Sequence, residues 1–242
     1  MIFLRYSNTA LEANCYIMAD PTHRVALVVD AGAGSAAWVE RALSARNLRL
    51  GAVLATHGHG DHVWDAGVVA GSSVPCFIAE PDVYRLDNPI AHAFYAPLVL
   101  AATGGRSWVK PEKIVPLPEA IYTEGTELVP GVHLRAIAAP GHTEGSTVFL
   151  FSGRFDADPG TPQLPDWGFG ENFMITGDVL FRDGVGRTDL EGGNDAQMRA
   201  SLRTIVANVE GSTIFFPGHG KPSTLARELK ASPYLRAYIA MK

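Results

Sequence analysis

Cysteine is scarce in this chain: Cys15 and Cys76 are the only two in 242 residues, and they stand far apart. A disulfide framework is therefore excluded as the basis of the fold, and a reducing, cytoplasmic setting is expected. Long apolar runs are missing too, since none approaches the roughly 20 residues of a membrane-spanning helix. The opening Ile2-Phe3-Leu4 reads as a strand, with no signal-peptide core. There is no surplus of positive charge: 20 Lys and Arg face 25 Asp and Glu, the net charge is -5, and the basic residues are scattered. Nucleic acid is not the expected partner. No Gly-x-Ser-x-Gly elbow occurs, and Cys15 falls in the middle of a strand, which disfavours a covalent nucleophile.

What is present is the composition of a globular enzyme, with 47% apolar residues, 25 glycines and 16 prolines. The length suits one large domain or two small ones. One stretch stands out, Thr56-His57-Gly58-His59-Gly60-Asp61-His62. Its three histidines and one aspartate are separated only by glycine, and imidazole with carboxylate suits zinc, iron or manganese. Lone loop histidines are ordinarily solvated, but this density of ligand types points to metal. Ala52–Ala55 upstream is a strand-length apolar run, and Val63–Ala70 downstream has helical character. The motif therefore sits on a strand-to-helix turn. His57 and His59, two apart on extended chain, point the same way. Asp61 and His62 begin the helix and face a second centre.

Ile2–Tyr6, Cys15–Ala19 and Val25–Asp30 read as strands separated by turn residues. Gly32-Ala33-Gly34 loosely fits a dinucleotide fingerprint, but the next strand ends in Thr56-His57 rather than in an acid for a ribose, so that reading is set aside. Ser35–Arg46 reads as a helix capped by Ser35, and Val74–Ile78 as a strand followed by a helical stretch from Glu80. Asn88–Trp108 suggests short helices and a loop beside the site, and Thr126–Leu128 and Val132–Ala138 read as strands joined by Pro130-Gly131. Ligand types then return singly, at His142 in Pro140-Gly141-His142-Thr143, at Asp178 after Met174-Ile175-Thr176-Gly177, and at His219 in Pro217-Gly218-His219-Gly220. Strands that repeatedly end in a His or Asp imply one shared edge.

Together these residues resemble the metallo-β-lactamase superfamily. In closer detail the chain is similar to short bacterial glyoxalase II-like hydrolases of the hydroxyacylglutathione hydrolase family. Asn14-Cys15-Tyr16, Gly177-Asp178-Val179-Leu180-Phe181, Gly186-Arg187-Thr188-Asp189 and Pro217-Gly218-His219-Gly220 carry that likeness. The resemblance implies an α/β fold, a four-layer αββα sandwich, in a single domain over 1–242 with an inserted loop at about 153–172. It assigns His57, His59 and His142 to one metal and Asp61, His62 and His219 to another, with Asp178 bridging and Asp30 behind them. Two divalent ions are implied, zinc before iron or manganese, and Asp61 and Asp178 are the expected catalytic carboxylates. The implied activity is hydrolysis of a small-molecule thioester by a metal-activated hydroxide, with no nucleic acid or membrane partner.

Two relatives of that chemistry stand as alternatives. Persulfide dioxygenases use one iron, held by the counterparts of His57, His142 and Asp178, and differ at the motif that is Gly218-His219-Gly220 here. Lactonases share the ligand set. Full-length glyoxalase II continues in a helical domain with little counterpart after His219, so the thiol portion is expected to be held differently. His23 and His133 read as structural, and His92 as a residue that could line the pocket. Arg187 reads as a buried ion-pair or loop-ordering residue, and Tyr95 and Trp108 as substrate-facing or packing.

Overall fold

The computed structural model describes residues 1–8, 11–91, 95–153 and 172–240. Strands β1 (Ile2–Ser7), β2 (Asn14–Ala19), β3 (Val25–Val29), β4 (Arg49–Leu54), β5 (Cys76–Ile78) and β6 (Ile114–Pro116) form one sheet in that order. The first three are antiparallel neighbours, and β3 to β6 run parallel. The second sheet holds β7 (Thr126–Val129), β8 (Val132–Ala138), β9 (Thr147–Ser152), β10 (Asn172–Gly177), β13 (Ile214–Pro217) and β14 (Ser223–Thr224). A small hairpin of β11 (Leu180–Phe181) and β12 (Gly184–Val185) stands apart. In the second sheet β10 and β13 pair in parallel, so both present their C-terminal ends at one edge.

Period-two alternation explains the layers. In β3, Val25, Leu27 and Val29 face the other sheet, while Ala26 and Val28 face outward. The core between the sheets is aromatic, with Phe3, Tyr16, Phe149, Phe151, Phe173 and Phe216 all buried. Phe151 and Phe173 stack at 5.1 Å, and Phe3 meets Phe216 at 4.6 Å. The outer face of the first sheet is covered by α1 (Ala36–Ala45), α2 (Gly60–Val63) and α3 (Ala66–Ala70). A short helix α4 (Ala96–Ala102) packs Val99 beside Trp64 and Ala33. The outer face of the second sheet is covered by α5 (Asp195–Asn208), α6 (Leu225–Ala231) and α7 (Pro233–Ala240), through Met198, Leu202, Ile205, Leu225 and Leu235. The layers are helix, sheet, sheet, helix: the expected αββα sandwich. Among the described residues no helix is long and apolar enough to cross a membrane.

Several local expectations are corrected. Val63–Ala70 is not one helix, since the chain breaks at Trp64–Asp65 between α2 and α3. The buried Asp65 carboxylate there accepts the Ala36 amide at 2.8 Å and pairs with Arg106 at 2.8 Å. Asp65 thus takes the amide-binding role expected of Ser35, whose side chain makes no cap hydrogen bond. Beyond β5, the expected helical stretch from Glu80 is present as a 3-10 segment, Glu80–Asp87. The inserted loop falls almost wholly on residues 154–171, outside the described residues, as does His92. Cys15 and Cys76 are free and buried in the outer layer of the first sheet.

Candidate metal centre

The strand ends of both sheets meet at one edge, where all seven expected ligands converge. Three sets of donors lie within 4.8 Å of one another: His57, His59 and His142; His57, His62 and Asp178; Asp61, His62 and His219. The two outer sets reproduce the division expected from the resemblance, and Asp178 falls between them. The Asp178 carboxylate reaches both sides, with Oδ2 at 3.5 Å from His142 Nε2 and 3.4 Å from His219 Nε2. Its Oδ1 lies 3.4 Å from His62 Nε2. Asp61 Oδ2 stands 3.2 Å from His219 Nε2.

Glycine is required where the backbone runs against these groups. A Cβ at Gly218 would come within 2.1 Å of Asp178 Oδ1, and one at Gly32 within 1.9 Å of the Asp61 carbonyl. The glycines flanking the ligands are therefore there for close approach, not only for turning.

Most of the ligand rings have one nitrogen committed, which aims the other inward. Asp30 is buried and accepts from the Thr56 amide and hydroxyl, each at 2.8 Å, and from His62 Nδ1 at 3.1 Å. Because the Thr56 hydroxyl donates to Asp30, it accepts from His57 Nδ1 at 3.0 Å. His142 Nδ1 donates to the Arg187 carbonyl at 2.8 Å, and His219 Nδ1 to the Leu11 carbonyl at 2.9 Å. The Nε2 atoms of His57, His62, His142 and His219 are thus turned to the centre, the arrangement that second partners impose on metal-binding imidazoles. His59 presents Nδ1 instead, 2.9 Å from His142 Nε2. Two buried polar atoms here, His57 Nε2 and Asp178 Oδ1, have no hydrogen-bond partner. Unsatisfied buried donors and acceptors of this kind are costly, and a cation accounts for both.

The two outer sets differ in charge. Burial, helped by the neighbouring imidazoles His62 and His142, pushes His57 well down and His59 to about 3. Burial also opposes charge on His62 and His219, but Asp61 and Asp178 outweigh it, raising His62 well up and His219 to about 10. Against the pull of burial, His62 and His219 hold Asp61 and Asp178 below the ordinary carboxylate range.

A cleft of about 370 Å³ opens beside His59, walled by Tyr84, Arg85, Asn88, Tyr95, Leu190 and Glu191 among others. Tyr95 therefore borders the site, whereas Trp108 packs on Trp64 at 5.6 Å and donates to the Leu86 carbonyl. His23 caps its turn against Asp20, and His133 stays in β8, as expected of structural residues. Arg187 orders its loop as an ion-pair residue, though its guanidinium, paired with Asp189, is half exposed rather than buried, and its carbonyl accepts from His142 Nδ1. The residue that sequence reading passed over is Asp82, fully buried just beyond β5. It follows a strand end as the ligands do, but no glycine or second ligand type flags it.

This arrangement defines an αββα protein with a His/Asp metal centre at the shared edge of its sheets. The chain belongs to the metallo-beta-lactamase superfamily, whose family model matches residues 8–156 and whose members are mostly metal-dependent hydrolases. It is 30% identical over 237 residues to an uncharacterized protein of Mycobacterium tuberculosis, covering 97% of this chain and 98% of that one. It is 27% identical over 241 residues to the hydroxyacylglutathione hydrolase GloC of Haemophilus influenzae, covering 95% of each. Among solved structures, the BLEG-1 B3 metallo-beta-lactamase shares the fold at a TM-score of 0.74 and 22% identity, over 97% of this chain and 99% of that one. ETHE1 from Myxococcus xanthus does so at 0.69 and 20%, over 99% and 89%.

Proposed function

We propose that this protein is a binuclear metal-dependent hydrolase that cleaves a small-molecule thioester of the hydroxyacylglutathione type. The observation that carries the reading is the pair of separate three-donor sets with Asp178 between them. The likeness to GloC over nearly the whole chain supports the thioester.

His57, His59 and His142 would hold one divalent ion and Asp61, His62 and His219 the other, with Asp178 contributing to both. The histidine-rich donors suit zinc first, then iron or manganese. Two such ions supply Lewis acidity and a water acidic enough to ionise near neutral pH. Thr56 and the carbonyls of Leu11 and Arg187 keep the imidazole lone pairs inward, so the ligands need no reorganisation. Asp61 and Asp178, held ionised, present anionic oxygens at the floor of the site. The cleft beside His59 is assigned to the thiol portion, since its tyrosines, asparagine and charged groups suit a polar, peptide-like thiol. A thiolate leaves without a strong protein acid. Neither cysteine suits a nucleophile: burial raises both thiols, that of Cys76 to about 12.

The test is elemental analysis of the purified protein beside assays on a hydroxyacyl thioester, a lactone and glutathione persulfide. Two ions per chain with thiol release from the thioester is the expected result. One ion, with oxygen consumed on the persulfide and no thioester cleavage, would overturn it in favour of a dioxygenase centred on His57, His142 and Asp178. Ring opening of the lactone alone would make the protein a lactonase.

A further inference from the structure

Two buried polar side chains outside the ligand set hold ligand-bearing segments, Asp82 tying two loops together and Asn14 fastening the segment around His219 to β2. Asp82 is fully buried between the loop of His57 and His59 and the loop of His142. Its Oδ2 accepts the Gly58 amide at 2.8 Å, from between the two histidines, and the Thr143 hydroxyl at 2.8 Å, from the residue after His142. Its Oδ1 accepts the Gly145 amide at 2.7 Å. Contact is close enough that a Cβ at Gly145 would lie 2.7 Å from Asp82 Cβ, which accounts for glycine there. None of these bonds reaches Asp61, His62 or His219.

Asn14 does the corresponding work across the site. It is buried in β2, and its Nδ2 donates to the Pro217 carbonyl at 2.9 Å and to the Gly220 carbonyl at 3.0 Å, bracketing His219. Its amide donates to the Gly218 carbonyl at 2.7 Å, and Tyr16, two residues on, donates its hydroxyl to the Pro217 carbonyl at 2.5 Å. Ala13 bridges to His219 itself. Alternate side chains of the Asn14-Cys15-Tyr16 motif thereby fasten the end of β13. Asp30, by contrast, serves both sides through Thr56 and His62.

We infer that the two halves of the metal centre are positioned by separate struts, Asp82 for the His57, His59 and His142 half and Asn14 with Tyr16 for the Asp61, His62 and His219 half. The inference rests on the binuclear reading and assigns positioning residues, which touch neither metal nor substrate. Asp82→Asn leaves one acceptor oxygen where three donors converge, so an N–H or O–H there would face an NH2. Loss of such supporting partners typically weakens metal binding by about 10–100-fold.

The experiment is a double dissociation by zinc titration of metal-stripped protein against a chromophoric chelator. In a His219→Ala background, which leaves the first half, Asp82→Asn should weaken zinc binding about 10–100-fold and Asn14→Ala should leave it within about threefold. In a His57→Ala background, which leaves the second half, the two should exchange roles. Far-UV circular dichroism checks the fold, and Thr143→Val and Tyr16→Phe repeat the comparison with a smaller lesion should either first variant fail to fold. Equal losses in both backgrounds, or none in either, would overturn the struts while leaving two ions in wild type. One ion in wild type overturns the binuclear reading itself and the division into struts with it.

Discussion

The two sheets contribute to the centre in opposite ways. The first supplies four ligands from the turn after β4 and the start of α2, His57, His59, Asp61 and His62, so their relative positions are set by local backbone geometry. The second supplies His142, Asp178 and His219 one at a time, from the ends of β8, β10 and β13. Their positions depend on strand register, on the parallel pairing of β10 with β13, and on the packing of one sheet against the other. The electrostatics divide differently. The imidazole-only set keeps His57 and His59 neutral, whereas the set with Asp61 and Asp178 beside it holds protons on His62 and His219.

The largest effect is expected where the two halves meet. Asp178→Asn keeps the shape of the side chain but removes its charge, and turnover should fall at least about a hundredfold with weakened metal binding. The fold should survive, because the aromatic core between the sheets supplies the stability. Near-normal activity and metal content in this variant would mean that Asp178 merely shapes its turn. His219→Ala comes next: one of two ions should be lost, with His57, His59 and His142 still binding the other, as read by metal content per chain. Full retention of both ions would make the second set dispensable.

A smaller but sharper contrast concerns protons. In metal-free protein at neutral pH, His219, raised to about 10, and His62 carry protons that a cation must displace. Zinc affinity of the second half should therefore climb at least about tenfold for each pH unit between 6 and 8. His59, lowered to about 3, and His57 are already neutral there, so those two rings should release almost no protons as the first half takes up zinc. Titrations of the His219→Ala and His57→Ala proteins at two pH values, with proton release followed by an indicator dye, read the difference directly. Equal slopes would remove the electrostatic distinction between the halves. The smallest effect is expected from thiol alkylation: Cys15 and Cys76 are buried with raised thiols, and iodoacetamide should leave the activity of folded protein unchanged. Inactivation that substrate prevents would place a cysteine in the chemistry.

The sequence by itself determined the class of fold and supplied the candidate ligands. Ligand types packed into six residues of one loop leave a local signature, and a single His or Asp after each of several apolar strands repeats it faintly. Continuously apolar strands such as Val25–Val29 likewise fit a sheet covered on both faces. Tertiary structure decided the rest. It broke Val63–Ala70 at Asp65, because a buried carboxylate there satisfies the amide that starts α1 and an arginine from beyond α4. It brought the Arg187 carbonyl to His142 Nδ1, a contact that no residue letter can disclose. It also gave Asp82 and Asn14 their partners, since a hydrogen bond from residue 14 to residue 217 or from residue 143 to residue 82 exists only once the two sheets are packed together. Ligands are chosen by chemistry that the residue type carries with it, whereas their orientation is imposed by groups that become neighbours only when the chain has folded.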